Sequence, residues 1–423
     1  MLLLRLRWRS LEEVNENMKI LFLTLLDFNT IYEPGIYTDL LREFVKDGNE
    51  VYVVSPVEAR KNIETHLITE NHTVILKQKI GNVQKTKSLI EKGISTLTLE
   101  KKIINGIKTH FSNVKFDLVL YSTPPITLCN AIEYVKKRDN AKTYLLLKDI
   151  FPQNAVDLGM LSKSGAKGIL YKYFRNKEKK LYALSDRIGC MSQANVDYVL
   201  KHNPEVSSSK VEVCPNCVEP VDMSVSEEQR IVIRQKYGIP LDRKVFVYGG
   251  NLGKPQGIPF LNSCLRAAKD TGAYFLIVGD GTDYSKLEAF VNQEKPEHVK
   301  LMKRLPKEDY DAMVGSCDVG MLFLDHRFTI PNFPSRLLSY MQAKLPVLAV
   351  TDPNTDVGKV IVDGGFGWWC ESNDVENVAT CIQSIMNCDL SKHKDRSYSF
   401  LENNYDCKKC FSLISKGCYK LKF

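Results

Sequence analysis

A long series of apolar runs of strand length, each followed by a stretch of helical spacing, limits what this chain can fold into. The first set is KILFLTLL (19–26), NEVYVVSP (49–56), FDLVLYSTPP (116–125), KTYLLLKDIFP (142–152), DRIGCMS (186–192) and KVEVCPN (210–216). The second is KVFVYGGN (244–251), AYFLIVGDG (273–281), VKLMKRL (299–305), VGMLFL (319–324), LPVLAVTD (345–352) and GFGWWCE (365–371). Alternating strand and helix patterns argue for βα units and parallel sheets. Strands that read as continuous Val, Ile and Leu, without alternation, are buried on both faces. Two such sets predict two doubly wound α/β domains with a cleft between them. The weakest joint is 216–240, where NCVEPVDMSVSEEQR carries turn residues and no sustained apolar face. The expected division is an extension or upstream start over 1–17, a first domain over 18–215, a second over 216–395, and a C-terminal helix over 396–423 packing back toward the first domain.

Composition excludes several classes. With 44% hydrophobic and 26% charged residues among 423, the chain is that of a globular protein. Its longest apolar runs, such as ILFLTLL (20–26), fall far short of the roughly 20 residues a membrane-spanning helix requires. The opening MLLLRLRWRSLEEVNEN is interrupted by arginines and lacks a small-residue cleavage site, unlike a secretory signal. Twelve cysteines at irregular spacing fit a reducing compartment, hence a cytoplasmic location. A net charge of +8 without a recognition module does not suggest nucleic acid.

In open α/β sheets ligands bind outside the carboxyl ends of the strands, so the turns leaving them are where chemistry is expected. The turn YGGNLGKPQGIPFL carries Gly249, Gly250, Gly253 and Gly257 around Asn251, Lys254 and Gln256. Such glycines let backbone N–H groups approach an anion, and a diphosphate fits. The stretch FTIPNFPSRLL leads into a helix through Asn332, Phe333, Pro334, Ser335 and Arg336. A helix start with a hydroxyl and a guanidinium beside it attracts phosphate. Plain capping and ordinary helix entry are the alternatives at both turns. The turns carrying Gly279, Arg304 and Leu305 would lie where a base docks. In the first domain Gly35 stands at a helix mouth, and LLLKDIFPQNAVDLGML ends a strand in Lys148 and Asp149.

LLLKDIFPQNAVDLGML, VCPNCVEP, YGGNLGKPQGI, FLIVGDG, LPKEDYDAMVGSCDVGMLFL and PSRLLSYMQAKLPVLA, in this order, resemble the retaining GT-B glycosyltransferases related to glycogen synthase (glycosyltransferase group 1, family 4 type). The likeness is closest to the bacterial subgroup that builds O-antigen and capsular polysaccharide, including transferases of N-acetylfucosamine-type sugars. It spans nearly everything from Met18 to about residue 395. It implies two facing Rossmann-like domains and transfer from a nucleotide-sugar, a UDP-HexNAc or deoxy-HexNAc, with retention. It further implies a polyprenyl-diphosphate-linked glycan acceptor and no metal or other cofactor. Asp149, Lys148, Arg336 and Lys254 are then the expected catalytic residues. Gly250, Asn251, Gly253, Gln256, Gly279, Arg304, Leu305, Asn332, Phe333, Pro334, Ser335 and Ser339 are expected at the donor, and Gly35 on the acceptor side. Where the family carries two glutamates, this chain has Pro331 and Ser339; where its phosphate loop carries Arg and Lys, this chain has Asn251 and Gln256. Rival readings are a UDP-N-acetylglucosamine 2-epimerase-like enzyme and a non-catalytic nucleotide-sugar-binding protein.

Other motifs compete. Asp309-Tyr310-Asp311 matches a metal-binding Asp-x-Asp, but sits at a helix start where acidic residues complement the dipole. The pairs Cys214/Cys217 and Cys407/Cys410 have the spacing of zinc and redox sites, without the compact arrangement of a finger. Basic clusters over 77–93 and 167–182, the latter with Tyr171, Tyr173 and Phe174, suit either a solvated helix face or an anionic membrane surface. The second use would place the protein peripherally at the inner membrane face. His326 has no metal-ligand spacing.

Overall fold

A computed structural model describes residues 17–82 and 89–419. The first sheet contains β1 (Lys19–Leu23), β2 (Glu50–Glu58), β3 (His66–Glu70), β4 (Thr73–Ile80), β5 (Leu118–Ser122), β6 (Lys142–Leu147), β7 (Arg187–Cys190) and β8 (Val211–Val213). Its order is β3-β4-β2-β1-β5-β6-β7-β8, parallel except for the antiparallel β3–β4 pair. The second contains β9 (Val245–Asn251), β10 (Tyr274–Asp280), β11 (Val299–Lys303), β12 (Val319–Phe323), β13 (Val347–Thr351) and β14 (Gly367–Glu371). Its order is β11-β10-β9-β12-β13-β14, all parallel. β5, β12 and β13 are buried at every residue, as helices on both faces of a parallel sheet require. The architecture is GT-B.

The β3–β4 hairpin was not expected from the apolar runs, and it changes the reading of one basic cluster. Lys77 belongs to β4 and is 1% exposed, its ammonium paired with Asp27 and bonded to the Phe28 carbonyl at 2.8 Å. It is therefore not part of a solvated or membrane-facing helix. Residues 83–88 of that cluster, like 1–16 of the expected extension, lie outside the described residues.

The C-terminal segment is two helices where one was expected. Ser391–Asn404 packs beside the helix Arg336–Gln342 of the second domain. Cys407–Tyr419 crosses to the first domain and lies against the helix Thr38–Lys46, with Phe44 and Phe411 edge to face at 4.9 Å. This crossing brings the two Cys-x-x-Cys pairs into one apolar cluster, with Cys410 Sγ 3.6 Å from the Pro215 carbonyl. Contact with Cys410, then burial, pushes the Cys214 thiol well above its ordinary range. Among the described residues no group of three or more His, Cys, Asp or Glu is arranged to hold a metal ion. No described helix is long and apolar enough to cross a membrane.

Candidate functional site

Strand order reverses between β9 and β12, which makes their carboxyl ends the crevice of the second sheet. β9 leaves through Gly249, Gly250 and Asn251. Gly250 has φ +134°, and a Cβ there would lie 2.6 Å from Arg336 Nη2, so backbone angle and close approach both demand glycine. Gln256 Oε1 shapes the loop by accepting from Asn251 Nδ2 at 2.9 Å and Gly253 N–H at 3.1 Å. Tyr340 Oη accepts from Gly249 N–H and donates to the Met321 carbonyl, each at 3.1 Å, tying the ends of β9 and β12 together.

Arg336 opens the helix Arg336–Gln342 and lies over the Tyr310 ring, 5.1 Å from its centroid. The group is half-buried, and among the described residues no carboxylate lies within 4 Å of it. A partly desolvated cation without a counter-ion awaits an anion. Ser335 is exposed and makes no side-chain cap bond, leaving its hydroxyl available. Asn251, Gln256, Pro334, Ser335 and Arg336 line one cavity of about 230 Å³ with Tyr248, Gly249 and the end of β12.

Other expected residues are placed differently. Lys254 lines a separate cavity on the far side of the loop. At Gly279 a Cβ would lie 2.0 Å from the Gly250 carbonyl oxygen, so its role is strand spacing. Arg304 is exposed, and Leu305 packs on the domain core beside Tyr310. Phe333 is 8% exposed within that core, its ring 6.3 Å from that of Tyr405, so it does not present a face to a sugar. The Asn332 carbonyl is bound by Thr355 Oγ1 at 2.5 Å. Ser339 lies one turn into the helix, outside the cavity lining.

In the first domain Lys148 Nζ donates to the Cys214 carbonyl at 3.0 Å, joining β6 to the exit of β8. Asp149 accepts from Asn154 Nδ2 at 2.8 and 2.9 Å, yet burial raises its carboxyl to about 6. Gly35 N–H donates to Asp39 Oδ1, whose partner oxygen accepts from Glu219 N–H, each at 2.9 Å.

Two sets of contacts that sequence reasoning missed join the domains at the stretch that leads into the helix Arg336–Gln342. Thr329 N–H donates to Asp157 Oδ2 at 2.8 Å, and its hydroxyl donates to the same carboxylate at 2.9 and 3.0 Å. Asn195 Nδ2 donates to the Pro331 carbonyl at 2.7 Å, and Ala194 N–H to Asp356 Oδ2 at 3.0 Å. Asp157 falls within LLLKDIFPQNAVDLGML and Thr329 within FTIPNFPSRLL, but nothing in either stretch marks them as partners, so only the tertiary pairing reveals the contact. Tyr310 was visible only as the centre of Asp-x-Asp. The flanking carboxylates are paired, Asp309 with Lys236 at 2.8 Å and Asp311 with Lys307 at 2.5 Å, while the tyrosine lies under Arg336.

This fold is that of GT-B proteins. Residues 229–400 match the family model of glycosyl transferases group 1. "Probable glycosyltransferase WbjE" of Pseudomonas aeruginosa is 27% identical over 291 residues, 68% of this chain and 71% of its own. "Putative colanic acid biosynthesis glycosyl transferase WcaI" of Escherichia coli (strain K12) is 21% identical over 297 residues, 69% of this chain and 71% of its own. The structure of Anabaena Alr3699/HepE in complex with UDP-glucose superposes with a TM-score of 0.70 at 15% identity, covering 96% of this chain and all of that one.

Two outcomes follow. In Asp157→Ala, loss of charge-assisted bonds worth about 1.5–3 kcal/mol each should speed hydrogen exchange at the Thr329 amide at least about tenfold, with β9 and β12 unaffected; an unchanged rate at Thr329 would show that the contact does not hold the loop. Because the folded-state pKa of Asp149 is raised above 3.8 to about 6, the native state binds the extra proton between these values, and stability from this group falls as pH rises through them. The difference in melting temperature, Asp149→Asn minus wild type, should therefore increase from pH 4 to 7 and then level off; a flat difference contradicts the burial.

Proposed function

We propose that this protein is a retaining glycosyltransferase that moves a sugar from a UDP-sugar, a HexNAc or deoxy-HexNAc, to a polyprenyl-diphosphate-linked glycan in surface polysaccharide assembly. The observation that carries this reading is Arg336: a guanidinium held over an aromatic ring, without a counter-ion among the described residues, at the switch point of a sheet whose relatives are glycosyltransferases. In this scheme Arg336 and Ser335 receive the leaving diphosphate. The bond from the anomeric carbon to the diphosphate oxygen breaks, and a bond to the acceptor hydroxyl oxygen forms on the same face. The hydroxyl proton passes to the departing diphosphate. Stabilisation of the developing charge and fixed positions for both substrates then supply the rate. Asp149, with a carboxyl near 6, is suited to hold or exchange a proton near neutral pH on the first domain's side of the cleft.

A membrane-bound acceptor suits the helix Gly165–Leu184. Between Asp157 and Glu178 the chain has no acidic residue but includes Lys163, Lys167, Lys172, Arg175 and Lys177. Ile169 is 75% exposed, with Leu170 and Tyr173 exposed nearby. Arg175 and Lys177 are paired with Glu178 and Glu100, while Lys163, Lys167 and Lys172 form no ion pair among the described residues; an apolar tip beside these three favours an anionic bilayer surface, at about 1 kcal/mol per basic residue near it. These features support a peripheral position at the cytoplasmic membrane face.

The test is transfer from a UDP-sugar to lipid-linked acceptor in vesicles. Arg336→Ala should lower turnover at least about tenfold, the loss of roughly 1.4 kcal/mol of transition-state stabilisation. Replacing anionic by zwitterionic lipid should slow the wild type. Unchanged turnover in Arg336→Ala removes the arginine's role, and indifference to lipid charge removes the membrane contact. Consumption of donor without acceptor would favour an epimerase. Binding without turnover would favour the non-catalytic protein that Pro331 and Ser339 keep in view.

A further inference from the structure

The loop that carries the donor residues has two sides, and each faces its own cavity. Asn251 and Gln256 look onto the smaller cavity with Arg336. Lys254 and Gly257 look onto a larger one of about 420 Å³, and Leu324 lines both. The larger cavity is closed from the first domain by Leu158, the residue after Asp157, so the Asp157–Thr329 contact that joins the domains also completes it.

Charge in this cavity is nearly balanced except at one point. Lys286 is paired with Asp283 at 2.8 Å, and Arg327 with Asp325 through two bonds of 2.8 Å. Lys254 is exposed and forms no ion pair among the described residues. The N-terminus of the ten-residue helix Ile258–Ala267 opens at the same place, without a side-chain cap. Ser372, 2% exposed, contributes a hydroxyl oxygen that is buried without a partner. Phe260, Pro259, Leu158 and Leu324 supply apolar surface. One surplus cation, a helix N-terminus and an apolar wall suit a sugar-sized ligand bearing one oxyanion group.

We infer that this cavity is a second substrate compartment, taking an oxyanion of the acceptor while the diphosphate of the donor lies with Arg336 on the other side of the loop. Lys254 is its anion-binding residue. The inference rests on the proposed glycosyl transfer and names the acceptor's chemistry: an anionic glycan, charged either through the diphosphate of its lipid carrier or through a carboxylate on a sugar. The compartment is complete only when the domains are closed, so it selects acceptor in the same state that orders the donor loop.

Calorimetric titration separates the two cavities. With the wild type saturated by UDP, inorganic pyrophosphate in one arm and glucuronate in the other should show binding at one further site. Binding of pyrophosphate alone assigns the oxyanion to the carrier diphosphate, and binding of glucuronate alone assigns it to an acidic sugar. Lys254→Met should weaken that binding at least tenfold and leave the UDP dissociation constant within about twofold, while Arg336→Ala should do the reverse. Because Lys254 is exposed, the substitution leaves the fold intact, which the melting temperature checks. The inference is overturned if neither anion binds the UDP-loaded protein, or if Lys254→Met weakens UDP as Arg336→Ala does. Failure of UDP to bind the wild type strikes the donor reading instead, and Lys254-dependent binding of pyrophosphate to the protein alone would then still support the second compartment.

Discussion

The stretch from Phe328 to Pro334 has no regular structure, and the position of Arg336 depends on how its backbone is held. Two prolines remove donors from it, so its carbonyls need partners elsewhere. Asn354 Nδ2 binds the Phe328 carbonyl at 2.6 Å and Thr355 Oγ1 binds that of Asn332, both from the turn after β13. Asp157 and Asn195 reach across from the first domain to Thr329 and Pro331. The stretch is thus held from both domains, by Asp157 and Asn195 from the first and by Asn354 and Thr355 from the second.

Arg336 occupies this place through geometry on three sides. Tyr310 lies beneath it, Gly250 admits it by lacking a Cβ, and Tyr340 holds β9 and β12 at the spacing that forms the cavity floor. None of these contacts neutralises the charge. An ion pair at this point would compete with a diphosphate, whereas an aromatic face offers weak attraction and leaves the guanidinium's donors for ligand. Pro331 and Ser339, where the resemblance implies glutamates, are not among the residues that line this cavity.

Much of the fold could be read from apolar runs, because strands buried on both faces leave an uninterrupted signature. The β3–β4 hairpin escaped for the opposite reason: in HLITENHTVILKQKI the apolar runs are cut to two or three residues by polar and charged ones, and Lys77 is buried through a pairing with Asp27, fifty positions away, that composition does not show. Within the site, the glycine-rich turn and Ser335-Arg336 were legible because backbone angle and phosphate chemistry demand particular residue types. Lys254 and Phe333 were placed at the donor by proximity in sequence. A tight turn puts Lys254 on the opposite side of its loop from Gln256, and the apolar contact with Tyr405 turns Phe333 into the core. Asp157 and Thr329 lie in stretches that the sequence singles out, but their contact carries no local signal, since it exists only in the packed domains.

The central claim is that the cavity at the β9–β12 switch point is a nucleotide-sugar site built around Arg336. Its most direct measurement is a thermal-shift panel of UDP, GDP, dTDP and ADP with several of their sugars. A ligand at a hundred times its dissociation constant stabilises the native state by about 2.7 kcal/mol. The account predicts a shift with UDP and with at least one UDP-sugar. No shift with any member of the panel would contradict it, leaving a GT-B fold whose crevice binds no donor.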